Sequence, residues 1–319
     1  MNCYLKSGLI GVAIIGASIP VAATAAYAPP ELAGDKADPT ITVTGQRPDK
    51  DKLREAASAF VRTATVVPDE AQYARRNDPL CPVVVGIDQK YAGLVSAKIK
   101  AIAEAVGVAA APAGCRVNLL VNFTADASAY VARARKNRPG LLAALRPEER
   151  IALISSSAPV RWWYGTETRG SDKAPIALGQ LNGGIMVSDG GSDQPILPTS
   201  NKGTLRNYSA SQIDTQLVVN LASTVVLIDV EKATGVALDS VAAYAAMVSL
   251  SQIRLSIDYG SYPSILAMFS GTKPRDQAPR DLTEWDYAYL RALYKIPASR
   301  TARVQRSKLF GEMVKTLTK

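Results

Sequence analysis

The chain of 319 residues contains no histidine. Histidine supplies the base of Ser-His-Asp and Cys-His catalysis and the nitrogen ligands of many zinc sites, so its absence excludes all of these together. No P-loop and no Gly-x-Gly-x-x-Gly motif follows a predicted strand. We therefore predict no cofactor and no metal ion. An enzyme built on this chain would depend on a carboxylate pair or on a lysine.

Long apolar runs are scarce, and the longest stands at the N-terminus. It extends from Gly8 to Ile19, stops at the helix-breaking Pro20, and is followed by small residues up to Ala25. This pattern is typical of an export signal, which we predict at residues 1–25. An uncleaved membrane anchor is the alternative, although the run is short for a span. The export signal predicts a periplasmic or secreted protein.

Cysteine is also rare, with three in the whole chain. Cys3 leaves with the signal, so Cys81 and Cys115 remain. An even pair in an oxidising compartment is typically a disulfide, and two buried free thiols are the alternative. The pair begins the two strands of a predicted strand, helix, strand unit: Cys81–Ile87, Tyr91–Val108 and Cys115–Thr124. A bridge between the starts of two strands suits parallel neighbours in one sheet.

The rest of the chain divides into a linker and one domain. Residues 26–50 mix Pro, Gly, Asp and Lys without an apolar period, which predicts a flexible linker before a single domain at 51–319. Within the linker, Ile41 to Arg47 resembles the short N-terminal segment by which TonB-dependent outer-membrane receptors add a strand to a partner. In the domain, helices are predicted at Ala127–Arg135 and Gly140–Ile154, the second broken near Pro147.

The stretch "APVRWWYGTET", Ala158 to Thr168, predicts a strand at the edge of the sheet. Adjacent side chains on a strand point to opposite faces, so one of the two tryptophans is expected in the core and the other at a surface. An exposed tryptophan can stack on a sugar or a peptide, whereas packed edge-strand aromatics are the alternative. The candidate ligand-contact residues are Arg161, Trp162, Trp163 and Tyr164.

A Gly-rich stretch, Gly179 to Gly203, predicts a hairpin or a long loop that turns at Asp189-Gly190-Gly191. Asp189 and Asp193 lack the spacing and the closing glutamate of a calcium loop, so we expect a turn without metal. A buried strand is predicted next at Leu221–Gly235, and then a helix at Val236–Ile253.

Positive charge is in excess. Removing the signal takes away Lys6 and no acid, which lowers the net charge from +9 to +8. Much of the excess follows Lys295, where six further basic residues face the single acid Glu312. Such a basic tail would be drawn to an anionic membrane surface, and a solvated terminal helix is the alternative. Nucleic acid is not expected as a partner, because the tail offers only Phe310 for stacking on a base.

From Leu221 to Tyr294 the order of features resembles the second half of a zincin metalloprotease domain, including an uncharacterised bacterial zincin-like group. The matching segments are "STVVLIDV" for the strand, "VALDSVAAYAAMVSL" for the active-site helix, "SYPSILAMF" for the following turn with Ser264, Ile265 and Leu266, and "LTEWDYAYLRALY" for the last helix. The last helix also carries its own physical signals. Thr283 and Asp286 form a capping-box pattern, and Tyr287, Leu290 and Tyr294 share one face.

The resemblance implies a zincin-like α+β fold with a mixed sheet, but this chain lacks the residues that bind the metal in that family. With Ser249-Leu250 in place of the family's Gly-Leu, the motif His-Glu-x-x-His falls on Ala242, Ala243 and Ala246, and in a register shifted by one residue it falls on Val241, Ala242 and Ala245. None of these can bind zinc or act as a base. The sequence therefore predicts an exported cell-envelope protein that binds an envelope ligand or protein without catalysis. The alternative is a hydrolase that uses carboxylates or a lysine.

Overall fold

The structure is a computed structural model that describes residues 49–65, 67–143, 145–170, 184–186, 195–198 and 217–319. The predicted signal, the segment Ile41–Arg47 and nearly all of the predicted linker lie outside the described residues. The helices are α1 (Lys50–Ala64), α2 (Gln89–Ala105), α3 (Ala127–Asn137), α4 (Pro139–Ala143), α5 (Pro147–Ser155), α6 (Leu238–Leu250), α7 (Glu284–Lys295) and α8 (Ala302–Leu317). The strands are β1 (Pro82–Val85), β2 (Leu119–Thr124), β3 (Val160–Gly170), β4 (Gly184–Met186), β5 (Pro195–Pro198) and β6 (Leu217–Asp229).

The main sheet has the order β1-β2-β6-β3 and is mixed, which confirms the predicted α+β class. β1, β2 and β6 are parallel, and β3 runs antiparallel to β6 at the edge of the sheet. The predicted strand, helix, strand unit is confirmed as β1, α2 and β2. Parallel neighbours need a crossover connection, and α2 supplies it.

The two remaining cysteines lie just before β1 and β2. The sulfur atoms of Cys81 and Cys115 are at disulfide-bonding distance, and the Cα atoms are 6.1 Å apart. Asn118 supports the same corner, because its side-chain oxygen accepts a hydrogen bond from the Cys81 N–H at 2.9 Å. The geometry agrees with the predicted pairing.

Helices cover both faces of the sheet, so the central strand β6 is buried without alternation and mostly apolar. Its residues from Asn220 to Asp229 are all buried. On one face, Trp162 and Val226 belong to the larger core, which also contains side chains of α1, α2, α6, α7 and α8. On the other face, Trp163 and Val225 belong to a smaller core with side chains of α3, α4 and α5.

The predicted helix at Val236–Ile253 is confirmed as α6, which is shorter by two residues at its start and three at its end. Every residue from Ser240 to Leu250 is buried. Alanine has the smallest side chain that still favours a helix, so Ala242, Ala243 and Ala246 let α6 lie close to its neighbours. The helix packs against α2 and β6.

The C-terminal end of α6 is held by buried polar side chains. The last carbonyl groups of a helix have no partner inside the helix and must find one elsewhere. Three side chains from distant parts of the chain provide it: Tyr164 for Val248 O at 2.7 Å, Arg76 for Ser249 O at 3.0 Å, and Tyr294 for Leu250 O at 2.6 Å. Burial lowers the pKa of Arg76, whose charge nevertheless suits the negative end of the helix dipole.

The basic C-terminal segment is an integral helix of the domain. In α8, Gln305, Leu309 and Met313 are buried, and the helix packs against α1 and α7. Lys308 and Lys315 remain exposed. The segment therefore contributes to the core with one face and presents positive charge with the other.

Other predicted elements differ in their bounds. The strand predicted to continue to Gly235 ends at Asp229, because residues 230–236 turn and Gly235 takes a φ of +84° that favours glycine. The break in the second predicted helix is confirmed between α4 and α5, where Pro147 begins α5. β4 and β5 pair in antiparallel fashion, as a hairpin requires. The predicted turn with Asp189 and Asp193 lies outside the described residues.

Candidate functional site

The four candidate ligand-contact residues on β3 are all buried. Trp162 and Trp163 are 4% and 5% exposed, so the expectation that one of them lies at a surface is wrong. The alternation itself holds, because the two rings enter different cores. Trp163 is buried because α3, α4 and α5 cover the face of the sheet that the sequence pattern predicted to be exposed. Arg161 is also fully buried, and its Nη2 donates to Ser128 Oγ at 2.7 Å.

Two of these side chains hold the segment that follows α6. Trp162 Nε1 donates to the carbonyl of Ile253 at 2.8 Å. The Tyr164 hydroxyl accepts a hydrogen bond from Ile253 N at 3.0 Å, and burial raises the pKa of Tyr164 well above its ordinary value. The Trp162 ring also meets the Tyr244 ring of α6 edge to face. β3 and the end of α6 are thus joined as one unit.

A cavity of about 80 Å³ opens beside this unit, between α5 and residues 253–256. Trp162, Trp163 and Tyr164 contribute to its wall, but Arg161 does not. An engineered core cavity of roughly 150 Å³ holds benzene, so this one has room only for a smaller group, such as the tip of an aliphatic side chain. Its wall is apolar at Ala152 and Leu255.

The rim of the cavity is charged, which the sequence pattern did not indicate. Arg146 lies 2.7 Å from Glu149 and 3.1 Å from Glu148, and the hydrogen bond to Glu149 is the main cause of the raised pKa of Arg146. Arg254 also lines the cavity. Arg146 and Arg254 are more than a hundred positions apart in the sequence, so no local motif could have found this rim.

The face of α6 that would carry a zincin motif offers no chemistry. Ala242, Ala243 and Ala246 are at most 1% exposed, and the core surrounds them. Across the described residues, no group of three or more His, Cys, Asp or Glu side chains is placed to hold a metal ion.

The turn after α6 is hydrogen-bonded to α7. Asp286 of α7 is fully buried and accepts hydrogen bonds from Ser264 Oγ at 2.5 Å and Ile265 N at 2.8 Å. It also closes the predicted capping box with Thr283, which is confirmed. Burial raises the pKa of Asp286, and these hydrogen bonds offset part of that rise. Among the described residues, Asp286 lines none of the three cavities for which the lining is known.

A second cavity, of about 440 Å³, contains two acids. Asp78 and Glu167 lie there on either side of Arg169, which donates to Asp78 at 2.6 and 2.8 Å. Asn220 donates to both acids, at 3.0 and 2.9 Å. Burial alone would raise the pKa of Asp78, but the bonds from Arg169 and Asn220 outweigh it and leave the pKa below its ordinary value. Asp78 is therefore suited to holding its charge and poorly suited to donating a proton.

Lysine chemistry also finds little support among the described residues. Ser270 and Lys273 have the Ser-x-x-Lys spacing of some acyl-transfer enzymes. The bond between them, however, runs from the backbone N–H of Lys273 to Ser270 Oγ at 3.3 Å. Lys98 lies 2.6 Å from Asp281 and 3.1 Å from Asp239; burial would lower its pKa, but these acids raise it. A nucleophilic lysine needs the opposite shift.

Comparison with known proteins adds no relative. No protein-family model, curated protein or solved structure matches this chain. No helix in the described part of the chain is both long and apolar enough to cross a membrane.

Proposed function

We propose that this protein is an exported component of the cell envelope with a metal-free zincin-like scaffold, and that it works by binding rather than by catalysis. The order β6, α6, turn and α7 supports the scaffold, because it follows the order of the resembling family. The contacts of Asp286 with Ser264 and Ile265 add support, since they join the resembling turn to the resembling last helix. The paired Cys81 and Cys115 support export to an oxidising compartment.

One observation carries the non-catalytic part of the proposal. The positions that would hold the metal ligands and the base are Ala242, Ala243 and Ala246, and all three are sealed in the core. A catalytic site needs both reactive groups and access for a substrate, and this face of α6 has neither.

The cavity beside β3 is the binding site in this proposal. A sugar would stack on an exposed aromatic ring, and neither Trp162 nor Trp163 presents one. A small apolar cavity with charged groups at its rim suits one aliphatic side chain of a peptide or protein segment, whose flanking charges meet Arg146 and Arg254. We therefore propose a peptide segment of an envelope protein as the ligand.

The alternative, a hydrolase that uses carboxylates or a lysine, has weaker support. Arg146 forms ion pairs with Glu148 and Glu149, and Arg169 forms ion pairs with Asp78 and Glu167. The pKa of Lys98 is raised. These arrangements stabilise charges that a catalytic acid or nucleophile would have to give up.

The experiment is a selection of random peptides displayed on phage against the mature protein, followed by titration of chosen peptides with tryptophan fluorescence as the signal. We expect enriched peptides to share one aliphatic residue between charged ones. Ala152→Phe fills the cavity and should abolish binding, whereas Ala132→Phe, on the exposed face of α3, should leave it unchanged. Equal binding by both variants, cleavage of the peptides, or one tightly held zinc per chain would overturn the proposal.

A further inference from the structure

The outward face of α2 carries large apolar side chains that lie in solvent. Leu94 and Tyr91 are 58% and 49% exposed, and they lie one turn apart on the helix. The inward face contains Val95, Ile99 and Ile102, which are buried in the larger core. Adjacent apolar side chains that remain in water mark a surface that gains free energy when a partner covers it.

The middle of this outward face is formed by small residues. Ala97 lies opposite the buried side of the helix, and Gly93 and Ala101 lie one turn before and after it; all three are exposed. Within the described part of the chain, nothing lies within 4 Å of the position that a Cβ atom of Gly93 would take. A second helix can therefore approach α2 closely at Ala97, with Leu94 beside the point of contact.

The sequence of α2 contains four charged side chains, and two of them are held within the chain. Lys98 forms ion pairs with two acids from other segments, at 2.6 and 3.1 Å. The Lys100 ammonium donates to a backbone carbonyl at 3.3 Å. The remaining two, Lys90 and Glu104, are exposed, and neither forms an ion pair with any described residue. Lys90 lies over the Tyr91 ring at 5.9 Å.

These two charges oppose the dipole of their own helix. The N-terminus of a helix favours a negative charge and the C-terminus a positive one. Lys90 lies in the first turn of α2 and Glu104 in the last, so both are placed the unfavourable way round. An antiparallel neighbouring helix reverses this, because its C-terminus lies beside Lys90 and its N-terminus lies beside Glu104.

We propose that α2 is the interface of a symmetric dimer, in which α2 of a second copy packs antiparallel to it about a two-fold axis at Ala97. Residues at equal sequence distances on either side of Ala97 then face each other across the axis. Lys90 and Glu104 are each seven positions from Ala97, so the two copies form two ion pairs. Gly93 and Ala101 are each four positions from it, which keeps the contact close.

The charges select a second copy as the occupant, because the face is complementary to itself. At the ~20° crossing angle of bundled helices, both ends of α2 stay within reach of the partner helix. One helix face is a small interface, so the dimer should be weak, with a Kd on the order of tens of micromolar. This interface does not depend on the function proposed for the cavity beside β3.

The test is sedimentation velocity of the mature protein over a concentration series that brackets this Kd. Lys90→Glu and Glu104→Lys each place like charges opposite each other, so each should weaken the dimer roughly tenfold. An equimolar mixture of the two single variants should recover association, because every pair across the axis then has opposite signs. Lys52→Glu, the same charge reversal at an exposed position of α1, is the matched control and should have no effect.

Two further measurements separate the interface from folding and fix its axis. Lys90→Glu should raise the melting temperature of the dilute monomer, because it removes a charge opposed to the helix dipole, so weaker association cannot be caused by unfolding. Ala97→Cys should link two copies by a disulfide under mild oxidation, since the two sulfur atoms meet at the axis. Ala59→Cys, at an exposed position of α1, should not.

Leu94→Asp places a charge at the centre of the apolar contact and should abolish the dimer. A protein that stays monomeric at every concentration, a dimer that survives Leu94→Asp, or a mixture of the charge variants that does not associate would each overturn the proposal. Flotation of a monomeric protein with phosphatidylcholine vesicles, lost in Leu94→Asp, would identify lipid as the occupant of this face and would also overturn it.

Discussion

Ser264 donates a hydrogen bond to Asp286, with the two oxygen atoms 2.5 Å apart in the buried interior. The same carboxylate accepts from the N–H groups of Ile265 and Thr283 at 2.8 and 3.0 Å. One side chain of α7 thus fixes both the turn after α6 and the start of its own helix. The bond therefore holds the turn after α6 and the helix α7 together in the core.

We predict that Asp286→Ala lowers the free energy of unfolding by about 3 kcal/mol, because it leaves several buried donors without an acceptor. Urea unfolding followed by circular dichroism measures the change. Asp281→Ala, five residues earlier and half exposed, should cost less than about 1 kcal/mol although it breaks an ion pair with Lys98. Equal losses in the two variants would contradict the structural role of Asp286.

The alanines of α6 should resist enlargement. Ala242→Leu and Ala246→Leu each insert volume into a sealed core, so each should lower the free energy of unfolding by about 1 to 3 kcal/mol. Thermal unfolding checks this. Asp239→Asn is the control on the same helix, because the Asp239 side chain is 65% exposed and should tolerate the change. Tolerated leucines, with an activity lost in Asp239→Asn, would make α6 a catalytic helix instead.

The disulfide should be present in exported protein. Mass spectrometry without reductant should find Cys81 linked to Cys115, which closes a loop with a sequence separation of 34 residues. By loop entropy, its reduction should lower the free energy of unfolding by about 3 to 4 kcal/mol. Two thiols that react with an alkylating reagent in periplasmic material would contradict the prediction.

The ion pair of Asp78 with Arg169 should give a pH-dependent contribution to stability. The pKa of Asp78 lies below its ordinary value of 3.8 in the folded protein, so folding favours the ionised form. The contribution should therefore be complete above pH 3.8 and be lost as the pH falls through the folded pKa. It should stay below about 1 kcal/mol, because Asp78 is partly exposed. The difference in unfolding free energy between the parent and Asp78→Asn, measured across this range, checks the sign.

The sequence by itself determined the features that depend on near neighbours in the chain. The apolar run at Cys81, the helical period from Tyr91 to Val108 and the second run at Cys115 were sufficient to predict β1, α2 and β2. The capping box at Thr283 was visible for the same reason, since its two residues are three positions apart. Local periodicity and capping specify an element whatever it later packs against.

Only the tertiary structure decided which surfaces are covered and which charges meet. The alternation along β3 placed Trp162 and Trp163 on opposite faces, but it could not show that α3, α4 and α5 close over the second one. Nor could it place Arg275 beside the start of α6, since the two are more than thirty residues apart. Burial and charge pairing depend on long-range packing, which a local pattern does not encode. For this chain, the sequence specified several of the elements and their order, and the packing of distant segments decided which side chains are buried and which charges meet.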